Sequence, residues 1–536
     1  MKFLLSSAGR SVLKNWSEQQ FIDHVETLRQ VDRRSFMKSI AAGLAATACQ
    51  QNLGSDLLGD SKKGTGDRGS GFQVAILGAG LAGLSTAHYL AKAGIRSTIY
   101  EARPRIGGRV VTQKNFNGEG MFIEWGAEFV DSTHHHLIHL AHELGLPIQE
   151  FAEPIQGLEE EVYFFNNKTI DSTKFIPEFK KLAQFVIDDT RPIRKKGQLI
   201  LPTFGTKNQV SWLDQISLAE YLEQKKNQGL SNEFVELVNV MYLGMLGLET
   251  TEQSVYNMLT LMDVTSNELG LYGDSDESKR VQGGNGNLVE QLGKSVNEHS
   301  NIQLGHQLKR ISKSPAGAFI LDFDRNGMSS VAKRADIVIV TIPIPVLKNI
   351  DGFIDLELSA PKKNAIKHLG YATNAKYSIG FTKRQWREKN NKIPPNYGTV
   401  WSNGAFPEIR DSSNNQPGKS GIILNYLSGK KGARIPPNLK NKTLEYLSSL
   451  YPGIENTVDC NDHLQHWVSE EFSKGSYICQ KPKHYSLMAG FENQVELNSQ
   501  MFFAGDSFSI EFGGYMNGAI ETGKKAAELA TKRHKS

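Results

Sequence analysis

Phe72-Gln73-Val74-Ala75-Ile76-Leu77-Gly78-Ala79-Gly80-Leu81-Ala82-Gly83 is the stretch on which the fold turns. The short apolar run Val74 to Leu77 predicts a buried strand. Glycines follow at once, and Leu84 to Ala93 then continues at helical spacing. Ile95 to Tyr100 reads as a second strand and ends in Glu101. Each part has a physical task. Gly78 permits a tight turn, Gly80 lets the backbone approach a pyrophosphate, and Gly83 lets the helix pack on the strand. The helix N-terminus offers unpaired N–H groups and about half a positive charge to phosphates. Glu101 stands roughly 20 residues on, where an acid accepts hydrogen bonds from a ribose diol. Strand, glycine turn, helix, strand and acid in this order predict a dinucleotide-binding unit.

The next segment narrows the dinucleotide. Glu101-Ala102-Arg103-Pro104-Arg105-Ile106-Gly107-Gly108-Arg109 adds a second glycine pair flanked by arginines. A further close backbone approach, with cations beside a diphosphate, suits a flavin dinucleotide held along its whole length. With these residues the chain resembles the FAD-binding amine oxidoreductase family, which includes monoamine oxidases, polyamine oxidases and L-amino acid oxidases. Glu124-Trp125-Gly126-Ala127-Glu128-Phe129 resembles the family's glycine turn at the flavin ring. Gln282-Gly283-Gly284-Asn285-Gly286-Asn287-Leu288 resembles the segment that returns the chain to the FAD domain. Ala335 to Pro343 reads as a buried strand with a proline exit. Phe503-Ala504-Gly505-Asp506 and Gly513-Gly514-Tyr515-Met516-Asn517-Gly518-Ala519-Ile520 resemble the closing strand, loop and helix.

The resemblance covers about residues 71–536 and implies an α/β chain, α+β overall. It implies a discontinuous Rossmann-like FAD-binding domain from 71–130, 281–345 and 456–536. The segments 131–280 and 346–455 then form a substrate-binding domain of sheet and helices. A crevice between two such parts is where a ligand site is expected. The implied cofactor is FAD. Its implied contacts are Gly78, Gly80, Gly83, Glu101, Arg103, Gly107, Gly108 and Arg109 at the front, and Gly126, Ala127, Glu128 and Phe129 at the ring. Leu308 lies between these segments and the closing group of Gly505, Asp506, Tyr515, Met516 and Ala519.

The same resemblance implies oxidation of a C–N bond, with hydride passing to flavin N5 and oxygen yielding hydrogen peroxide. Lys376, in Asn374-Ala375-Lys376-Tyr377, matches a lysine that holds a water against N5. Tyr515 and Tyr477 match two aromatic rings that form an apolar slot for the amine. Trp467, in His466-Trp467, resembles a tryptophan near the flavin. Ser476 departs from the family: mammalian monoamine oxidases carry a cysteine there, linked to the flavin, and serine cannot form that thioether. FAD is therefore expected to be non-covalent, and Cys479 is read as a buried thiol. His134-His135-His136, with His139 and His142, offers an i,i+4 pair. No acid or cysteine pattern supports a metal, so a solvated helix face or a substrate-entry surface is expected and no metal site is assigned.

An L-amino acid oxidase needs a cation for the substrate carboxylate. In venom-type enzymes that arginine follows the glycine turn, where this chain has Phe129; a clamp from elsewhere stays open. Glu128 is read either as facing a distal cationic group, as in a polyamine or basic amino acid, or as a structural hydrogen-bonding residue. A carotenoid-desaturase type shares the front motifs but would not need Lys376 or paired aromatics. A flavin-bearing binding module is the non-enzymatic alternative. The implied partners are a small amine or amino acid and O2, with a homodimer left open.

Composition limits the remaining classes. The chain has 536 residues, 39% of them hydrophobic and 22% charged, enough for a sizeable core. No apolar run approaches the ~18 residues of a membrane span. Most of the +4 net charge sits in residues 1–70, so it gives no argument for nucleic-acid binding. Three cysteines, Cys49, Cys460 and Cys479, make neither a disulfide scaffold nor a four-cysteine zinc site. Asp32-Arg33-Arg34-Ser35-Phe36-Met37-Lys38, a weakly apolar stretch to Ala48, and Ala46-Thr47-Ala48 resemble a twin-arginine export signal. Residues 1–48 are so read as the signal and 49–70 as a linker, which implies a periplasmic or secreted protein. Cys49 is a candidate lipid acceptor.

Overall fold

The structure is a computed structural model that describes residues 72–535, apart from 152–154, 196–197, 207–209 and 326. Val74–Leu77 forms the expected strand, with all four residues buried. It pairs in parallel with Thr98–Tyr100 on one side and Ile337–Val340 on the other. A strand flanked on both edges and covered on both faces must be apolar throughout, which is why the run does not alternate. The six-stranded sheet is ordered Asn301–Gln303, Thr98–Tyr100, Val74–Leu77, Ile337–Val340, Met501–Phe503, Val495–Glu496. Only the last pairing is antiparallel.

One face of this sheet carries the helices Leu81–Lys92 and Met516–Lys535. Small residues set their separation. A Cβ on Gly523 would stand 2.7 Å from the carbonyl of Ala82, and Thr86 donates to the Gly523 carbonyl at 3.2 Å. The other face packs on a three-stranded antiparallel sheet, 306–313, 319–325 and 328–335, whose Phe319, Leu321 and Phe323 meet Val338 and Val340.

A second, seven-stranded sheet is ordered Val458–His466, Ala375–Phe381, Gly421–Leu427, Glu408–Asp411, Asn396–Ser402, Glu159–Phe165, Lys168–Ile170. Helices Ile176–Thr190, Leu218–Asn227, Asn232–Leu246 and Val255–Leu261 gather their buried faces into one cluster that also takes in Trp401. The strand Val458–His466, expected with the flavin-binding segments that begin at 456, pairs instead with Ala375–Phe381. Its residues are exposed or half-buried, so no apolar pattern marked its sheet. Among the described residues no helix is long and apolar enough to cross a membrane. The export signal, the linker and Cys49 lie outside the described residues.

Candidate active site

A cavity of about 630 Å³ opens beyond the carboxyl ends of the central strands, where Leu77, Tyr100 and Thr341 line it. This is the usual position for a ligand in an open parallel sheet. Its far wall comes from the second sheet, which contributes Lys376, Glu408, Arg410 and Tyr426.

The near wall is built from glycine backbone and anchored charges. Gly80 begins the helix Leu81–Lys92 and gives it no side-chain cap, so the first-turn N–H groups have no side-chain partner there. A Cβ on Gly80 would meet only the Cα of Gly108, at 3.9 Å. The space in front of it belongs to the cavity. Gly83 differs: its Cβ would lie 2.0 Å from the Gly78 carbonyl, and it does not line the cavity. It acts through helix–strand packing. Glu101 accepts from the backbone N–H of Ala79 and of Arg103, each at 2.8 Å, which fixes one carboxylate oxygen per donor and leaves lone pairs at the cavity. Arg103 turns to Glu470 at 3.2 Å and Ser473 at 3.0 Å.

Arg109 ties three distant segments together. It donates to the Ser476 carbonyl and to both carboxylate oxygens of Asp506. Burial opposes its charge, but the Asp506 carboxylate overrides this and holds the guanidinium above its usual range. Gly107, Gly108, Gly126, Ala127, Leu308, Gly505, Met516 and Ala519 complete this wall. An open glycine backbone, a helix start without a cap and an anchored acid one strand away fit the pyrophosphate and ribose of FAD.

The far wall is centred on Lys376, in a strand whose residues are all buried. Its Nζ donates to Glu128 Oε2 at 2.6 Å and to the Glu124 carbonyl at 3.1 Å. Glu128 therefore has an internal partner in this lysine. Tyr426 stands opposite Lys376 in the sheet register and its hydroxyl lies 3.3 Å from that of Tyr477. Tyr477 donates to the Met245 carbonyl at 2.9 Å. Its ring backs Gly514, the residue before Tyr515. Tyr477 and Tyr515 both line the cavity, although among the described residues no ring contact joins them. Trp467 also lines it, its Nε1 held by the Trp125 carbonyl at 3.1 Å. Ser476 donates to Asn374 Oδ1 at 2.6 Å. Cys479 is buried away from the cavity, and burial pushes its thiol up to about 12.

Arg410, Glu277, Glu408 and Tyr426 line the cavity and were not read from the sequence. Arg410 donates to Glu277 at 2.6 Å and to Glu408, and lies 5.2 Å from the centre of the Phe129 ring. A cation thus does reach Phe129, from the strand Glu408–Asp411 of the second sheet. The other oxygen of Glu408 is buried without a partner, and burial raises this carboxyl. The charged residues of Glu408-Ile409-Arg410-Asp411 stand in a polar, Gly- and Pro-containing stretch, which says nothing of what they face. Of the histidines, His134 is buried against the Tyr515 ring, with centroids 4.9 Å apart, rather than on a solvated face. Among the described residues no group of three His, Cys, Asp or Glu could hold a metal.

The family profile described as flavin containing amine oxidoreductase matches residues 81–531. Polyamine oxidase 4 of Oryza sativa subsp. japonica is 24% identical over 86% of this chain and 88% of that protein. An L-amino-acid oxidase of Siganus canaliculatus is 28% identical over 65% of this chain and 66% of its own length. The flavin-containing amine oxidase B of Rattus norvegicus is 23% identical over 85% of each chain. Among solved structures, putrescine oxidase bound to putrescine superposes with a TM-score of 0.68, 21% identity, and coverage of 85% of this chain and 98% of the other. Cyclohexylamine oxidase from Brevibacterium oxydans IH-35A gives 0.70 at 18% identity, over 87% of this chain and 100% of the other. With the cradle, the cavity and a match over most of its length, the chain belongs to the flavin-containing amine oxidoreductase family: it is an FAD-dependent oxidoreductase that acts on the C–N bond of amines.

Proposed function

We propose that this protein is an amine oxidase that deaminates a small amine oxidatively, with O2 as acceptor and hydrogen peroxide as product. The observation that carries this reading is the position of Lys376 and the tyrosines Tyr426, Tyr477 and Tyr515 on the same cavity as the glycine cradle. Gly80, Gly108, Glu101 and the Arg109–Asp506 clasp would hold FAD. When bound, FAD supplies the hydride acceptor and passes the electrons on to oxygen. The tyrosine rings strip water from an incoming ammonium, which favours the neutral, reactive amine. Lys376 has three donors, and Glu128 and the Glu124 carbonyl take two. The third remains for a water in the cavity.

Glu128, Glu277 and Glu408 outnumber Lys376 and Arg410 on the substrate wall. That balance favours an amine with a second cationic group. Arg410 supports a second reading, an L-amino acid oxidase, in which the substrate carboxylate displaces Glu277 or Glu408 from the guanidinium. A peroxide-coupled screen with monoamines, diamines, polyamines and L-amino acids separates the two. A carotenoid-desaturase-like activity would release no peroxide with any of them. FAD should leave the polypeptide on acid denaturation, because Ser476 offers no thioether; flavin retained on the denatured chain would contradict this.

The leader adds a proposal about location. Export in the folded state through a twin-arginine route, to the periplasm or beyond, suits a protein that must take up its cofactor before crossing.

A further inference from the structure

Behind Tyr515 runs a chain of hydrogen bonds that the reaction described above does not use. Tyr515 lines the cavity and donates to Ser275 Oγ at 3.2 Å. Ser275 donates in turn to Asp131 Oδ2 at 3.0 Å. Asp131 is 3% exposed, and its other oxygen accepts from the Glu277 backbone N–H at 2.9 Å. His134, 1% exposed, accepts the Asp131 N–H at Nδ1 and sets Nε2 3.4 Å from Oδ2. Its proton is thus on Nε2, turned toward the carboxylate. Both hydroxyl donors in the chain point toward Asp131, which also reaches the cavity lining.

We infer that Tyr515, Ser275 and Asp131 form a proton relay that takes a proton from the bound substrate ammonium. The inference rests on the amine-oxidase reading. The transfer balances without any co-reactant. The ammonium N–H bond breaks as a proton joins Tyr515 Oη, the phenol proton moves to Ser275 Oγ, and the serine proton moves to Asp131 Oδ2. Ammonium plus carboxylate become neutral amine plus carboxylic acid, and no electron changes hands.

The surroundings of Asp131 suit an acceptor. Burial raises its carboxyl from the ordinary 3.8 to about 6, helped by the charges of Glu277 and Asp276 and opposed by the Ser275 and Glu277 hydrogen bonds. Burial also lowers His134 to about 4, so this neighbour is neutral and leaves the carboxylate uncompensated. The remaining charges near it are engaged elsewhere: Asp276 with Ser132 and Ser278, Glu277 with Arg410, and Lys279 with Glu150. The lone phenol is no competing acid, since burial raises Tyr515 above its ordinary range. An amine of pKa ~10 is a weak donor to such a group in water, but desolvation in the tyrosine-lined slot lowers the ammonium toward it.

The test uses the FAD-loaded protein and the variants Ser275→Ala, Tyr515→Phe and Asp131→Asn. Anaerobic flavin reduction by putrescine, benzylamine and L-leucine is timed across pH. In the parent protein the second-order rate of flavin reduction should fall as pH drops through about 6, because Asp131 must be ionised to accept. Ser275→Ala and Tyr515→Phe should each lower the rate at least about tenfold and remove that limb, and together should be no worse than either alone. Without substrate, the infrared band of a protonated carboxyl should grow as pH falls through about 6 and be missing in Asp131→Asn. Flavin absorbance reports folding in each variant. Bleaching with an unchanged pH profile in Ser275→Ala and Tyr515→Phe overturns the relay alone. Bleaching by none of the probes overturns the amine reading and the relay together.

Discussion

Lys376 Nζ and Glu128 Oε2 stand 2.6 Å apart, with the two side chains only 8% and 11% exposed. They join the second sheet to the turn Gly126-Ala127-Glu128-Phe129 on the cavity wall. A pair so far from water is not a surface salt bridge. Removing one partner strands the other's charge, at a cost of about 3–5 kcal/mol.

That pairing shapes what Lys376→Met should do. The near-isosteric chain keeps the packing, yet Glu128 is left unpaired. Thermal unfolding of the single variant should shift down, and adding Glu128→Gln should restore most of the loss. Turnover or flavin reoxidation should slow at least roughly tenfold, about 1.4 kcal/mol, in both the single and the double variant. Timing the anaerobic and oxygen half-reactions separately, beside calorimetry, checks both parts. Full activity in a stable double variant would make Lys376 structural.

Gly80 and Gly83 should fail differently. A Cβ on Gly80 has room, but the longer branches of valine enter the cavity. Gly80→Val should fold and lose flavin. A Cβ on Gly83 collides with the Gly78 carbonyl, so Gly83→Ala should unfold at markedly lower denaturant concentration whether or not FAD is added. Flavin content and denaturant midpoints distinguish the two, and equal behaviour would count against the cradle.

Glu124 gives stability a pH dependence. Burial raises its carboxyl from 4.5 to about 7, partly opposed by hydrogen bonds from Thr112 and the Asn285 N–H. A carboxyl raised in the folded state stabilises it when protonated. The contribution is full below about 4.5 and is lost as pH rises through about 7. Glu124 alone should therefore favour pH 6 over pH 8, while Lys362, His134 and His484, whose charged forms burial disfavours, act in the opposite sense. Glu124→Gln should remove its contribution, so the difference in unfolding temperature between parent and variant should change between pH 6 and pH 8 in favour of the variant, with Asp131 shifting in the same sense as Glu124 in both. An unchanged slope in Glu124→Gln would place its origin elsewhere.

The leader is tested by location. Lysines in place of Arg33 and Arg34 should leave the protein in the cytoplasm with its flavin bound. Unchanged export, followed by fractionation, would remove the twin-arginine argument.

The near wall of the cavity was legible because its signals are local. Gly78 to Gly83, Glu101 and Arg109 lie within one unit, and each is required by backbone geometry or by charge next to it. The far wall was legible only where a family resemblance marked it, at Lys376, Trp467, Tyr477 and Tyr515. Arg410 and Tyr426 stayed hidden because a strand residue's face depends on its register with neighbours far along the chain. The partner of Glu128 was hidden for the same reason: 248 residues separate it from Lys376. Asp131 and Ser275 carry no pattern at all, and they meet only because the Val130–Lys279 bridge draws their two loops together.

The most direct test of the central claim is anaerobic mixing of the flavin-loaded protein with an amine panel, followed by oxygen. The account predicts that at least one amine bleaches the flavin. Oxygen should then restore the oxidised spectrum and release one equivalent of hydrogen peroxide per flavin. A flavin that no amine or L-amino acid reduces would contradict it.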